Sequence, residues 1–152
     1  MSAVWHPFFQ HGTEPARPGG RHQGAHILTD RGPLLDGISS WWVVTHGHNQ
    51  PQIVEAIRET AGRLDQVIFA GLTRDPAEEL AEALVTMTPA GLDHVFYSDS
   101  GSTAVEVALK MALGYWRHEG DSRHRIAVIE GSYHGDTIGT MSVGERGLQR
   151  RL

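Results

Sequence analysis

Residues 94–110, His94-Val95-Phe96-Tyr97-Ser98-Asp99-Ser100-Gly101-Ser102-Thr103-Ala104-Val105-Glu106-Val107-Ala108-Leu109-Lys110, decide how this chain is read. A short apolar run, His94 to Ser98, predicts a strand. The small polar residues 99–102 predict a tight turn, and Thr103 to Trp116 predicts a helix with no breaker before Gly114. The pattern then recurs: Arg125 to Glu130 predicts a second strand, and Gly131-Ser132-Tyr133-His134-Gly135-Asp136 a loop leading into Thr137 and Ile138. Strand, turn, helix, strand and loop in this order predict an α/β fold with a parallel sheet covered by helices. Ligands of such sheets bind beyond the carboxyl ends of the strands, where these two loops lie.

Upstream, Asp75, Pro76, Glu78 and Glu79 mark a helix start, with Asp75 as N-cap and Leu80, Ala83, Leu84 and Met87 on one face. Pro51 opens another amphipathic helix after Asn49 or Gln50. His26–Thr29 and Leu34–Asp36 flank Asp30-Arg31-Gly32-Pro33 and predict a small hairpin. The first 25 residues, rich in Gly, Pro, His and Arg, predict an irregular arm.

Composition narrows the function. The 152 residues carry a formal net charge of -5 without any block of like charges, which argues against nucleic acid as a partner. No cysteine is present, so disulfides, thiolate metal sites and a cysteine nucleophile are excluded. No stretch of about 18 apolar residues predicts a membrane span, and Met1 to Gln10 lacks the pattern of a signal peptide, so a cytoplasmic location is expected. Of thirteen Lys and Arg residues only Lys110 is a lysine. Ten histidines raise the question of metal, but the spacing of His46 with His48, or of His134 with Asp136, is not that of a metal site, and none is expected.

Two loops carry the chemistry. A strand running into a Gly-containing turn at a helix N-terminus offers unpaired backbone N–H groups and a partial positive charge, a setting for phosphate. Gly101 permits close approach, and Ser100, Ser102 and Thr103 offer hydroxyls. The same residues read equally as caps, with Thr103 and Glu106 matching a capping box. Tyr133, His134 and Asp136 suit a flat heteroaromatic ligand stacked on the tyrosine, or else a tyrosine covering the core beside a histidine held by Asp136. Trp41 and Trp42 read as two packing residues, one on each face of a strand. Walker, dinucleotide-binding, zinc-protease and nucleophile-elbow motifs are all missing.

Taken together, Trp5-His6-Pro7, Leu35-Asp36-Gly37-Ile38-Ser39-Ser40-Trp41-Trp42, His46-Gly47-His48-Asn49, Ser98 to Ala112 and Tyr133-His134-Gly135-Asp136-Thr137 resemble the class III pyridoxal-phosphate aminotransferases of the biotin-pathway branch. The resemblance runs from about Trp5 to Gly147 and lies in the order and spacing of the motifs. It implies the N-terminal part of a fold type I pyridoxal-phosphate-dependent transferase, similar to aspartate aminotransferase. Residues 1–55 would then be an arm and hairpin of the small domain, and 56–152 the opening part of the large domain. It implies that Gly101 and Ser102 bind the cofactor phosphate, that Tyr133 stacks on the pyridine ring, and that Trp41 and Trp42 line the substrate pocket. The implied reaction is transfer of an amino group from S-adenosylmethionine to 8-amino-7-oxononanoate, giving 7,8-diaminononanoate, in a homodimer. The branch alternative is a class III enzyme acting on an ω-amino acid or diamine, and the other is a non-catalytic remnant. Phe8 stands where the family has a tyrosine. The family's Schiff-base lysine falls beyond Leu152, so these residues alone are expected to be inactive.

Overall fold

The computed structural model describes residues 3–7, 10 and 19–144. Phe8, the rest of the arm to residue 18 and the tail from 145 lie outside the described residues. The chain divides into two compact units, Met1–Thr73 and Arg74–Leu152. The boundary at 55/56 expected from the resemblance falls within the helix Pro51–Arg63.

The first unit is built on a three-stranded antiparallel sheet ordered β1(Gly19–Gln23), β2(His26–Thr29) and β3(Gly32–Leu35). The expected hairpin is β2–β3, with Thr29 facing Gly32 across a two-residue turn at Asp30 and Arg31. The Thr29 hydroxyl closes it, donating to the Gly32 carbonyl at 2.8 Å and accepting from the Arg31 N–H at 3.2 Å. The end of the arm was expected to be irregular. Instead Gly19–Gln23 adds to the exposed edge of β2, since an unpaired strand edge is a template for any extended segment nearby. Ser39–Trp42 forms a single turn, α1, and Pro51–Arg63 forms α2, whose N-cap Gln50 accepts from the Gln52 N–H at 2.7 Å.

The second unit contains α3(Asp75–Met87), α4(Gly101–His118) and α5(Ile138–Ser142). Helix α3 starts one residue earlier than the N-cap expectation: Asp75 lies in its first turn, where its charge meets the helix dipole, and Arg74 is the N-cap without a side-chain bond. Helix α4 starts at Gly101, two residues before the expected Thr103. Its capping box joins Ser100 and Thr103, not Thr103 and Glu106.

The expected strands at 94–98 and 125–130 do not form: among the described residues neither segment enters a ladder, and Glu130 already lies in a turn. A strand exists only where a neighbour supplies its hydrogen bonds. Among the described residues no apolar side chain is fully buried. Phe96 is 66% and Ile129 79% exposed, so the apolar faces that the sequence marks as core are uncovered here. No described helix is long and apolar enough to cross a membrane.

Candidate functional site

In the second unit the two chemistry-bearing loops meet. Ser100 caps α4: its Oγ accepts from the Thr103 N–H at 3.2 Å, and Thr103 Oγ1 accepts from the Ser100 N–H at 2.9 Å. Ser98 donates to Thr103 Oγ1 at 2.8 Å. These hydroxyls are therefore engaged in forming the helix start. Ser102 is not. Its Oγ accepts from the Asp136 N–H at 3.0 Å, which leaves its own proton to donate. The N–H groups of Gly101 and Ser102 belong to the first turn and have no acceptor in the helix. A Cβ built on Gly101 would meet nothing within 4 Å, so there is room beside Gly101 itself.

Tyr133 is 53% exposed, and its hydroxyl donates to Asp136 Oδ2 at 2.9 Å. A contact of Asp136 with His134 was one of the two readings left open; the Asp136 carboxylate accepts from the tyrosine hydroxyl and its N–H donates to Ser102. It is thus the bridge between the α4 start and the tyrosine loop. Contact is close at Gly135, where φ is +136° and an added Cβ would stand 2.6–2.8 Å from Ser102 atoms.

A second tie went unread in the sequence. Glu106 and Lys110 stand four apart on α4, a spacing that suits a surface ion pair. Among the described residues no such ion pair forms. Instead, Glu106 Oε2 accepts from the Thr137 hydroxyl at 2.5 Å and from the Thr140 N–H at 3.0 Å, and Thr140 is fully buried. Ser102 and Glu106 stand four apart on α4 and so share one of its faces, which is the signal the sequence offered.

Trp41 and Trp42 lie in the first unit, and not on a strand. Ser39, Ser40, Trp41 and Trp42 have φ of 50°, 45°, 63° and 75°, four successive left-handed residues without a glycine. Each costs about 1–2 kcal/mol against the right-handed form. The indoles are 59% and 81% exposed, where the sequence predicted packing. Trp42, Gly37, Ile38, Ser39 and Thr45 line an open depression of about 330 Å³.

The turn is braced by Asp36. Its Oδ1 accepts from the Ser40 N–H at 2.9 Å, and its Oδ2 accepts from the Ser40 hydroxyl and lies against His48 Nε2, both at 2.7 Å. The Ser40 N–H and then its hydroxyl, with smaller help from His48 and the Ile38 N–H and against the opposing effect of burial, hold the carboxyl at about 2, down from 3.8. A depressed carboxylate contributes stability that is fully present above its unfolded value and is lost as pH falls through the folded one. Between about pH 4 and pH 2 the brace should therefore release. Tryptophan emission followed through this range in Asp36→Asn should lack the acid transition seen in the parent; identical transitions would remove Asp36 as its origin.

The family model described as aminotransferase class-III matches residues 14–151. The chain belongs to the class-III aminotransferases. It is 56% identical over 127 residues to the adenosylmethionine-8-amino-7-oxononanoate aminotransferase of Synechococcus elongatus, covering 83% of this chain and 30% of that protein. The protein of the same name from Nitratidesulfovibrio vulgaris is 48% identical, covering 95% of this chain and 28% of its own. The class-III chain thus spans about 30% of the length of the curated relatives it matches. Among solved structures, the adenosylmethionine-8-amino-7-oxononanoate aminotransferase of Methanocaldococcus jannaschii matches with a TM-score of 0.86 and 37% identity, over 93% of this chain and 34% of that one. An amine transaminase from an uncultivated Pseudomonas species, solved in a pyridoxal-phosphate-bound form, matches with a TM-score of 0.84 and 31% identity, over 99% of this chain and 36% of that one. The class-III chain therefore has the fold of the corresponding third of these fold type I transferases.

Proposed function

We propose that these residues form the phosphate cradle and ring-facing wall of a pyridoxal-phosphate aminotransferase that makes 7,8-diaminononanoate from 8-amino-7-oxononanoate with S-adenosylmethionine as amino donor. The observation that carries the cofactor reading is the Ser102–Asp136–Tyr133 chain of hydrogen bonds, which joins the helix start to an exposed aromatic ring. The donor set fits the group: two first-turn N–H groups and one hydroxyl proton suit a phosphate dianion, and the helix dipole favours its charge. Tyr133 offers a face for the pyridine ring, and its bond to Asp136 limits rotation of that ring. When bound, pyridoxal phosphate supplies an electron sink for charge developing on the substrate carbon. The residues described here bind and orient; proton transfer is assigned to a lysine that this stretch does not contribute. Lys110 is eight residues beyond Ser102 and exposed, about 12 Å along the axis, too far down α4 to serve. Transamination by these 152 residues alone is accordingly expected to be undetectable.

In the same reading Trp41 and Trp42 line the substrate pocket, residues 1–55 belong to a small domain and 56–152 to a large one, and the whole protein is a cytoplasmic homodimer. Support for the biotin-pathway substrate comes from the relatives that share 56% and 48% identity and carry that name.

The test is a graft of residues 1–152 into the Synechococcus elongatus enzyme in place of the matching segment. Turnover of 8-amino-7-oxononanoate is expected; turnover of ω-amino acids or diamines alone would transfer the assignment to the other branch. In the graft, Ser102→Ala should weaken pyridoxal phosphate by about tenfold to a hundredfold, the loss of one bond to a charged group. Tyr133→Ala should impair retention of the cofactor more than Tyr133→Phe, measured from its absorption after gel filtration. Unchanged retention in Ser102→Ala would reduce Ser102 to a structural link to Asp136.

A further inference from the structure

The left-handed turn at Ser39–Trp42 is strained along its whole length, and such strain persists only where the surroundings over-determine it. What reaches into the turn from its N-terminal side is the Asp36 carboxylate, bonded to both the N–H and the hydroxyl of Ser40. Asp36 is itself tied to the sheet. Its partner His48 exchanges backbone hydrogen bonds with Gly24 at 3.1 and 2.7 Å, and its ring tilts on that of His22 at 5.1 Å. Asn49, with φ of 54°, donates its side-chain amide to the His22 carbonyl. The Asp36 and His48 side chains are only 5% and 12% exposed, so water competes little for their bond. A continuous path thus runs from β1 through His48 and Asp36 to Ser40, the residue before the two tryptophans.

We propose that Asp36 is a positioning residue: held by His48, it locks Ser40 in the left-handed turn and so fixes how Trp41 and Trp42 present their rings to the amino substrate. The role toward substrate rests on the proposed reading of the tryptophans; the role in holding the turn does not. A right-handed or extended backbone at Ser40 would redirect both indoles, because the direction of each side chain follows from φ and ψ of its own residue and its neighbours.

The experiment uses the full 152-residue chain labelled with fluorotryptophan, its four fluorine resonances assigned with tryptophan-to-phenylalanine variants. Asp36→Ala is expected to move or broaden the Trp41 and Trp42 resonances and to leave that of Trp116, in the second unit, in place. Where Asp36→Ala melts the first unit, Asp36→Asn decides, since it keeps an acceptor for the Ser40 N–H while losing the charge. A shift confined to Trp41 and Trp42 supports the lock, and unmoved resonances overturn it. In the grafted enzyme, Asp36→Ala should raise KM for the amino acceptor by about tenfold while kcat stays within about threefold. A fall in kcat with unchanged KM would overturn the positioning role. An unsubstituted graft that ignores 8-amino-7-oxononanoate would count against the functional reading alone, and the fluorine spectra would still decide the lock.

Discussion

Gly135→Ala is expected to detach the tyrosine loop from α4. The added methyl would fall 2.6 Å from Ser102 Oγ and 2.7 Å from its Cα, inside any real carbon contact. Relief by side-chain rotation is closed off, because one of the opposing atoms is backbone. The φ of +136° adds a conformational penalty that glycine alone avoids. Overpacking and backbone strain together amount to about 2–5 kcal/mol, more than the single hydrogen bond from Asp136 to Ser102 supplies. The Asp136 N–H, now bonded to Ser102, should exchange with solvent much faster in the variant. In the grafted enzyme cofactor retention should fall further than in Ser102→Ala. An Asp136 amide protected as in the parent would show that the loop stays docked and that the close approach is not required.

Glu106→Ala is expected to be the second most damaging change outside the cofactor-facing residues. It removes the acceptor of the Thr137 hydroxyl and of the Thr140 N–H, and leaves the latter in a fully buried residue without its partner. Lost bonds to a charged acceptor and a stranded N–H together cost about 2–4 kcal/mol. Glu106→Gln keeps an oxygen for Thr140 and should lose about 1 kcal/mol or less. Lys110→Ala should change nothing in this region, because Glu106 is engaged elsewhere. Amide exchange at Thr140 separates these outcomes. Equal effects of Glu106→Ala and Lys110→Ala would instead favour a helix-surface ion pair between the two residues.

The parts of the fold legible in the sequence are those made by local chemistry. Pro51 and Pro76 fall in the first turns of α2 and α3, because a residue without an N–H loses nothing there. Turn residues 30 and 31 separate β2 from β3, and 101–118 is a helix because its run from Gly101 to Leu113 holds no breaker. What depends on a distant partner was not legible. Residues 94–98 and 125–130 have strand composition, but a ladder is a property of two segments, and composition names only one. The sequence offered His134 as one partner for Asp136 and, by spacing alone, Lys110 for Glu106, since it displays near partners. Their actual partners lie 34 residues away for Ser102–Asp136 and 34 for Glu106–Thr140. The tryptophan pair was misread for another reason. Four left-handed residues without glycine run against intrinsic preference, and bonds that composition does not display, among them those from Ser40 to Asp36, help hold them in place.

Those two ties across 34 residues also set an order of assembly. Helix α4 closes through bonds between residues three or four apart and can wind on the submicrosecond scale of helices. Docking of 135–140 requires closing a loop of about thirty residues, an entropic toll that is met only after the helix exists to receive it. The tyrosine loop is therefore a late arrival on a finished helix. A ligand that grips both sides of the seam would hold it shut ever more firmly as its concentration rises.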